Sequence, residues 1–530
     1  MYYRYIVAIT SGLFLGLIIS YKLDFSTEIF FVSLILIFIN FLIYKFQKRS
    51  FGVYKSFVPI LVLVFFIGTA LGILLGQYDL SYDLEKKNNF QNYISQKNDF
   101  EGMVSNVSIS QSSQKFILNV NDETEIFKIK IITGLFPKYN SGDMISVSGK
   151  VSDGDVVLPD ITQSKKSFNV KDKDDLLDID GEMAFPKIKF VSESVSGNVF
   201  SKLENTKNNF LNILEKDIPL DAAALSAGTT LGDSSLFTKE DINAFRVSGL
   251  SHIIVLSGFN ITILIFVLIY IFSLFRLRLF WRVTLSIFSI IFFILFVGGG
   301  PSLVRAGIMG GVLLIASLFG RQYIAKQALF VSAFFMMIAN PKIALYDVSF
   351  HLSFLATFGI LYLVPIFDNY RFFQKDKNDK IEYNLSENKS EKDKNKFSKK
   401  IWDSILEILK VTLAVQIMVL PYIMFVFGKV SIFSLIANIL VVPLVPVIML
   451  LSVLILFFSF FANFISIFLG WVSYLFCEYI FIIARFIFTL PFSQVENYIS
   501  GLTLFLLYLI LFLFIYFENF RQKINSYLNS

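Results

Sequence analysis

Two periodicities divide the chain. Long apolar runs nearly free of charge fill both ends, while polar and apolar positions alternate in the stretch between them, over about 77–247. Runs at 6–21, 29–44 and 57–75 come first; those at 252–274, 283–297, 302–319, 328–344, 350–366, 401–427, 432–460, 464–488 and 502–516 follow the polar stretch. At 1.5 Å per residue each is near the length that crosses ~30 Å of hydrocarbon, so about twelve transmembrane helices are expected. In the polar stretch the period drops to two. Phe116, Leu118 and Val120 share one face of 115–120; Phe127, Ile129 and Ile131 share one face of 126–131, turning Lys128 and Lys130 outward. The segment 144–151 repeats the alternation after an Asn140-Ser-Gly-Asp143 turn. With 100–109 and 156–161 this gives about five short strands, suited to a small closed barrel of OB type, the alternative being a β-rich spacer. The charge run 171–178 reads as a linker, and Leu203, Phe210, Leu211 and Leu214 at helical spacing mark an amphipathic helical segment over 195–250.

Composition sharpens the class. Hydrophobic residues make up 55% of the 530 positions, more apolar surface than a soluble domain can hide, so the fold class is a polytopic α-helical membrane protein. Arg4 precedes an apolar run with no small-x-small cleavage signal, which predicts a retained first helix. The net charge of +6 matters through its distribution. Lys45, Lys48, Arg49 and Lys55, then Arg276, Arg278 and Arg282, then Arg321 and Lys326, the 370–400 charged loop and the 521–530 tail fall on one side. The positive-inside rule makes that side cytoplasmic, with both termini inside and the β domain outside. One cysteine, Cys477, excludes a disulfide framework, and no G-x-x-x-x-G-K-[ST] loop is present. Two histidines, His252 and His351, cannot build a binuclear hydrolytic centre. A Ser257/His252 catalytic pair would be five residues apart and off a common helical face. The chain is therefore expected to be no enzyme, with no metal and no cofactor.

Polar residues cluster where apolar runs break. The segment Gly249-Leu-Ser-His-Ile-Ile-Val-Leu-Ser-Gly-Phe-Asn260 follows an amphipathic helix that Thr238 would cap. It supplies His252, Ser257, Gly258 and Asn260. Gly298-Gly-Gly-Pro-Ser302 interrupts another run and places Pro301 just ahead of Arg305, a cation costly in lipid unless it faces a cavity, protein or an anion. Asp347 and Ser349 precede His351; Pro421 follows Gln416; Asn438 precedes Pro443 and Pro446, suggesting a helix that stops inside the membrane. Each alone reads equally as a bond between helices. Together they favour a polar conduit, because broken helices in lipid occur where protein or water satisfies the freed backbone.

These motifs resemble the ComEC competence proteins, membrane components of bacterial DNA uptake. The resemblance rests on Gly249–Gly258, Pro301-Ser-Leu-Val-Arg-Ala306, Asp347-Val-Ser-Phe-His-Leu-Ser-Phe354, and Leu420-Pro421 followed by Asn438-Ile-Leu-Val-Val-Pro443, in that order. Two departures stand out. Phe259-Asn260 occupies the place where the family often has Leu-His, and no metallo-β-lactamase-like domain follows the last span, so the resemblance is to a short form. It implies N-terminal transmembrane helices over 1–76, an OB-like domain with linker over 77–194 and a competence-type channel over 251–520. The implied function is an inner-membrane channel for single-stranded DNA in natural transformation. Implied partners are single-stranded DNA, membrane lipid, a DNA receptor, a cytoplasmic helicase-like motor and a separate nuclease. His252, Ser257, Gly258, Asn260, Pro301, Arg305, Asp347, Ser349 and Asn438 are the channel or gating candidates, with Lys128 and Lys130 as DNA contacts. Residues 77–247 hold 26 acidic and 19 basic side chains, so any DNA contact there must be local. The alternative is a small-solute transporter or channel with an outer capture domain.

Overall fold

The structure, a computed structural model, describes residues 2–22, 57–91, 93, 97–109, 113–121, 126–134, 136–139, 142–152, 179–192, 199–254, 256–368, 370 and 389–528. Helices α1 (Tyr2–Lys22) and α2 (Phe57–Gln91) precede β1 (Lys97–Ile109), β2 (Gln114–Asn121), β3 (Ile126–Thr133), β4 (Met144–Lys150), β5 (Gly181–Ala184) and β6 (Lys187–Ser192). Next come α3 (Val199–Asp217), α4 (Leu220–Leu231), α5 (Lys239–Val247), α6 (Ser251–Ile254), α7 (Gly258–Leu274), α8 (Leu279–Val297), α9 (Pro301–Leu318), α10 (Ala325–Ala339), α11 (Ile343–Tyr346) and α12 (Val348–Phe367). The chain ends with α13 (Lys389–Val426), β7 (Lys429–Ser431), α14 (Ser434–Val441), α15 (Val445–Ser459), α16 (Asn463–Thr489), β8 (Gln494–Glu496) and α17 (Gly501–Leu528). Two compact units result, Met1–Ile213 with Gly258–Phe350, and Leu214–Ser257 with His351–Ser530.

Among the described residues nine helices are long and apolar enough to span a bilayer, and two apolar ones, Asn260–Leu274 and Ala325–Ala339, are shorter. The expected crossing at 29–44 lies outside the described residues. The expected crossing at 252–274 begins at Gly258, because a four-residue helix and a connector precede it. Many of these helices turn large apolar side chains outward, such as Leu502, Phe505 and Ile510 on α17, a surface suited to lipid and costly in water. Of the charged loop expected over 370–400, residues 389–400 instead begin α13.

In the first unit, α1 and α2 pack backbone to backbone. A Cβ added at Gly12 would lie 2.1 Å from the Phe65 carbonyl oxygen, and one at Gly72 would lie 2.3 Å from that of Leu13. The four-residue spacing Gly12/Gly16 and Gly68/Gly72/Gly76 is what lets two helices in lipid approach this closely. Gly72→Val is expected to cost about 2 kcal/mol or more by forcing the pair apart. Gly311→Ala on α9, where no atom lies within 4 Å, should be neutral or stabilising. Thermal unfolding in detergent compares the two variants.

The six-stranded sheet has the order β5-β3-β2-β1-β4-β6, with β3 and β5 parallel and its other neighbours antiparallel. Phe116, Leu118, Ile129, Ile131 and Ile145 are fully buried, each stabilising the fold by about 1.5–3 kcal/mol. The sheet curls back far enough for Ser152, just past β4, to bridge Glu182 on β5. The last two strands come from 181–192, and the expected strand at 156–161 lies outside the described residues. A closed barrel was expected; among the described residues the sheet is a partial barrel, with the end of β4 bridged back to β5. The end of α2 fills its base. Phe90 is 1% exposed within the sheet core and lies 5.2 Å, centroid to centroid, from Phe127. One turn earlier, Lys86 forms a buried ion pair with Asp180 at 2.8 Å.

Also in the first unit, Lys342, after α10, meets Asp83 at 2.8 Å and Asp79 at 3.9 Å. The C-terminal half of α2 and the end of α10 are thus tied together.

Candidate functional site

Polar groups gather where membrane helices begin late or break. In the second unit, Thr238 Oγ1 accepts the Asp241 N–H at 3.1 Å and caps α5, as its sequence predicts. The buried Asp241 carboxylate accepts from Arg485 at 2.9 Å, and Arg485 also reaches Asp221 at 2.8 Å, joining α5, α4 and α16. Gly249 ends this segment at φ +77°, where a side chain is strained; an added Cβ would also lie 2.3 Å from Ser434 Cβ. On α6, His252 turns outward while Ile253 and Ile254 turn inward. Solvent reaches the imidazole, yet the protein gathered round it disfavours the charged ring. That desolvation places its pKa below the usual histidine value, against a smaller opposing effect of the Gly249 hydrogen bond. Ser257 lies half-buried in the connector after α6.

The second unit also holds the break around α14. Gln416 Nε2 on α13 donates to Ser434 Oγ at 2.6 Å, and Ser434 Oγ donates to the Ser431 carbonyl at 3.3 Å. Asn438 is four residues on from Ser434, on the same helical face. Among the described residues, Asn438 Oδ1 and Ser431 Oγ are buried and have no hydrogen-bond partner. After eight residues α14 gives way to a 3-10 turn, Val442–Leu444, and α15 restarts with a proline in its first turn. The expected stop within the membrane is therefore an interruption, since Ser434–Ser459 remains one apolar span. On α12, His351 Nδ1 lies 2.7 Å from the Tyr422 hydroxyl of α13, next to the helix-internal Pro421. Ser431 and Tyr422 carried no individual signal in the sequence; the neighbouring Gly428 and Pro421 did mark the breaks that hold them.

In the first unit, Gly298 and Gly299 adopt left-handed conformations that end α8, and Pro301 starts α9. This turn sets Arg305 on the first part of α9, 8% exposed. An added Cβ on Gly258 would lie 3.0 Å from Arg305 Nη2 and 3.2 Å from Ala306 Cβ, so the glycine makes room for the guanidinium. Asn260, two residues on, is 2% exposed. The fold thus brings Gly258 and Arg305 together from separate sequence motifs. Asp347 is the cap of α12, its Oδ1 accepting from the Ser349 and Phe350 N–H groups at 2.8 and 3.1 Å. Ser349 is exposed. On the sheet, Lys130 faces Glu182 at 3.8 Å with its side chain 17% exposed, and the Lys128 N–H donates to Asp180 at 2.8 Å. Lys130 stands less far out than the alternation predicts, because β5 pairs beside β3 and brings the Glu182 carboxylate.

Among the described residues, no group of three or more His, Cys, Asp or Glu side chains is arranged to hold a metal. No solved structure matches the chain. ComE operon protein 3 of Bacillus subtilis (strain 168) is 28% identical over 169 residues, a stretch that is 31% of this chain and only 21% of that relative. The family model for the competence protein matches residues 229–522, which takes in every polar break of the two units. The chain belongs to the competence protein family.

Proposed function

We propose that this protein conducts single-stranded DNA inward across the cytoplasmic membrane during natural transformation. A polyanion with one charge per nucleotide needs a wet path through lipid. The observation that carries the reading is the pair of buried polar atoms without a hydrogen-bond partner among the described residues, the Asn438 Oδ1 acceptor and the Ser431 hydroxyl, at an interrupted helix inside a competence-family membrane region. Buried polar atoms in such a place call for water or a polar cargo. His252, Ser257, Gly258, Asn260, Pro301 and Arg305 are assigned to lining or gating, and Asp347 and Ser349 to holding the start of α12. Both termini are cytoplasmic and the β domain faces outward. That domain is of OB type. Its neighbour order β1-β2-β3-β5, with parallel β3 and β5 and a bridge from the end of β4 back to β5, supports this reading. A separate receptor, motor and nuclease would deliver, pull and process the strand.

Deleting the gene is expected to abolish entry of labelled DNA into the cytoplasm; unchanged transformation would dismiss the proposal. Asn438→Leu gives a sharper test. Removing an unsatisfied acceptor should leave stability unchanged or raise it. Transformation should nevertheless fall about tenfold or more, that is by at least 1.4 kcal/mol in the passage step. Normal transformation of Asn438→Leu would remove that residue from the path. If deletion abolished uptake of a small labelled solute and left DNA entry intact, the solute-transporter reading would take its place.

A further inference from the structure

Three helices of the first unit come together on a cluster of cations. Gly258 lies beside Ala306, and an added Cβ at Gly310 would lie 2.3 Å from Ile265, so α7 and α9 run parallel. Helix α8 packs on both in the opposite sense; an added Cβ at Gly307 would lie 2.4 Å from Ile294. The end of α7, the start of α8 and the end of α9 therefore share one level. Arg276, Arg278 and Arg282 fall there, with Arg321 and Lys326 following α9. The charge distribution places this end in the cytoplasm. No aspartate or glutamate occurs from 258 to 346. Among the described residues, Arg276, Arg278, Arg282 and Arg321 form no ion pair.

Two of these arginines sit there at a cost. Helix α7 ends with the Leu277 N–H donating to the Phe272 carbonyl at 3.4 Å and the Arg276 N–H to the Ser273 carbonyl at 2.9 Å, which holds Arg276 at φ +52°. Helix α9 ends in the same pattern, Arg321 to Ala316 and Gly320 to Ser317, but with a glycine in the left-handed position, at φ +61°. Glycine is what this cap favours. An arginine kept there retains backbone strain, and such strain concentrates at binding sites. Arg282 is half-buried, and its Nε is buried with no hydrogen-bond partner among the described residues. A guanidinium stripped of water on one side needs an anion on another. Apolar tracks lead away from the cluster. Leu274, Tyr270 and Phe266 stand exposed at four-residue spacing on α7, and Trp281, Phe288 and Phe292 share one exposed face of α8.

We propose that this end of the first unit binds an anionic phospholipid, its phosphate among Arg276, Arg278 and Arg282 and its acyl chains along the exposed faces of α7 and α8. Basic pockets between membrane helices on the cytoplasmic side suit such headgroups. A nucleic-acid backbone matches the cations but leaves the apolar tracks, which follow the helices into hydrocarbon, without a partner. The proposal stands whether or not the chain conducts DNA.

Trp281 lies within the cluster and reports on it. The test uses the full-length chain with its other two tryptophans replaced, Trp402→Phe and Trp471→Phe, in nanodiscs of phosphatidylcholine containing some phosphatidylglycerol. Trp281 fluorescence is followed as one lipid or the other is exchanged for its dibrominated, quenching form. Brominated phosphatidylglycerol should quench at least about tenfold more effectively, mole for mole, than brominated phosphatidylcholine. Arg278→Gln and Arg282→Gln should each lower that preference about fivefold, and Arg521→Gln in the other unit should leave it unchanged. Arg276→Gly carries a second signature. Its preference should fall while its unfolding midpoint rises, because glycine relieves the left-handed position. Equal quenching by the two lipids overturns the site, as does an equal loss in Arg521→Gln, which would make the attraction a diffuse surface charge. Displacement of the brominated lipid by inorganic phosphate would make it a free-anion site instead, and displacement by an oligothymidylate would make it a nucleic-acid contact; either result also overturns the proposal.

Discussion

A Lys86→Met chain is expected to lose about 3–5 kcal/mol from the docking of the β sheet on α2, because the substitution removes the cation paired with the buried Asp180 carboxylate. Both side chains of the pair are 6% exposed and 2.8 Å apart. Asp180 cannot turn to solvent cheaply, since its carboxylate also accepts the Lys128 N–H at the start of β3. Lys86→Met/Asp180→Asn should recover most of the loss, as an amide can still accept that N–H without carrying a charge. Thermal unfolding and limited proteolysis of the β domain measure both variants. A cost for Lys86→Met below about 1 kcal/mol, the size found for an exposed pair, would show that water reaches the ion pair.

Gly249→Leu carries the other large effect, expected on transformation more than on membrane insertion. A non-glycine residue in the left-handed region costs about 1–2 kcal/mol by itself. Here the added Cβ would also lie 2.3 Å from Ser434 Cβ and 3.1 Å from Ser434 Cα at the start of α14. Helix α14 would have to shift, taking with it the Gln416–Ser434 bond and the face that bears Asn438. Gly299→Ala is the control, because at φ +65° it has the same backbone cost with no atom closer than 4.0 Å. DNA entry should therefore fall far more in Gly249→Leu than in Gly299→Ala. Equal effects would place the cost in the backbone conformation and not in the seat of α14.

Much of this architecture could be read from the residues. Uninterrupted apolar runs located most membrane helices, and strict alternation located β1 to β4 with the right faces inward. Glycine pairs and prolines marked the breaks at Gly298–Pro301 and around Asn438. What escaped had physical causes. β5 and β6 are short, follow a charge run and take their pairing from β3 and β4, which lie far back in the chain. The two-stranded β7–β8 ribbon has three residues a side, too few for any period to register. Residues 389–400 resemble a solvated loop by charge, but lysine and glutamate also suit a helix that an apolar continuation stabilises. At the site, Gly258 and Arg305 each stood out, whereas their contact depends on how α7 meets α9. Lys130 looked open because an alternating strand says nothing about the acid its neighbour will bring.

Helix α2 runs unbroken for 35 residues, about 52 Å, well beyond the ~30 Å a bilayer core requires. The sheet is therefore mounted on a rigid mast whose foot is locked to α1 through glycines and whose tip is the Phe90 plug. Its heading is inherited from the crossing helix. A single residue inserted between Gly76 and Lys86 would turn the sheet by about 100° and raise it by about 1.5 Å, pointing its open edge elsewhere. Length changes in that stretch are tolerable only in near-whole turns, and a chain altered there by one or two residues would carry the sheet on a different heading.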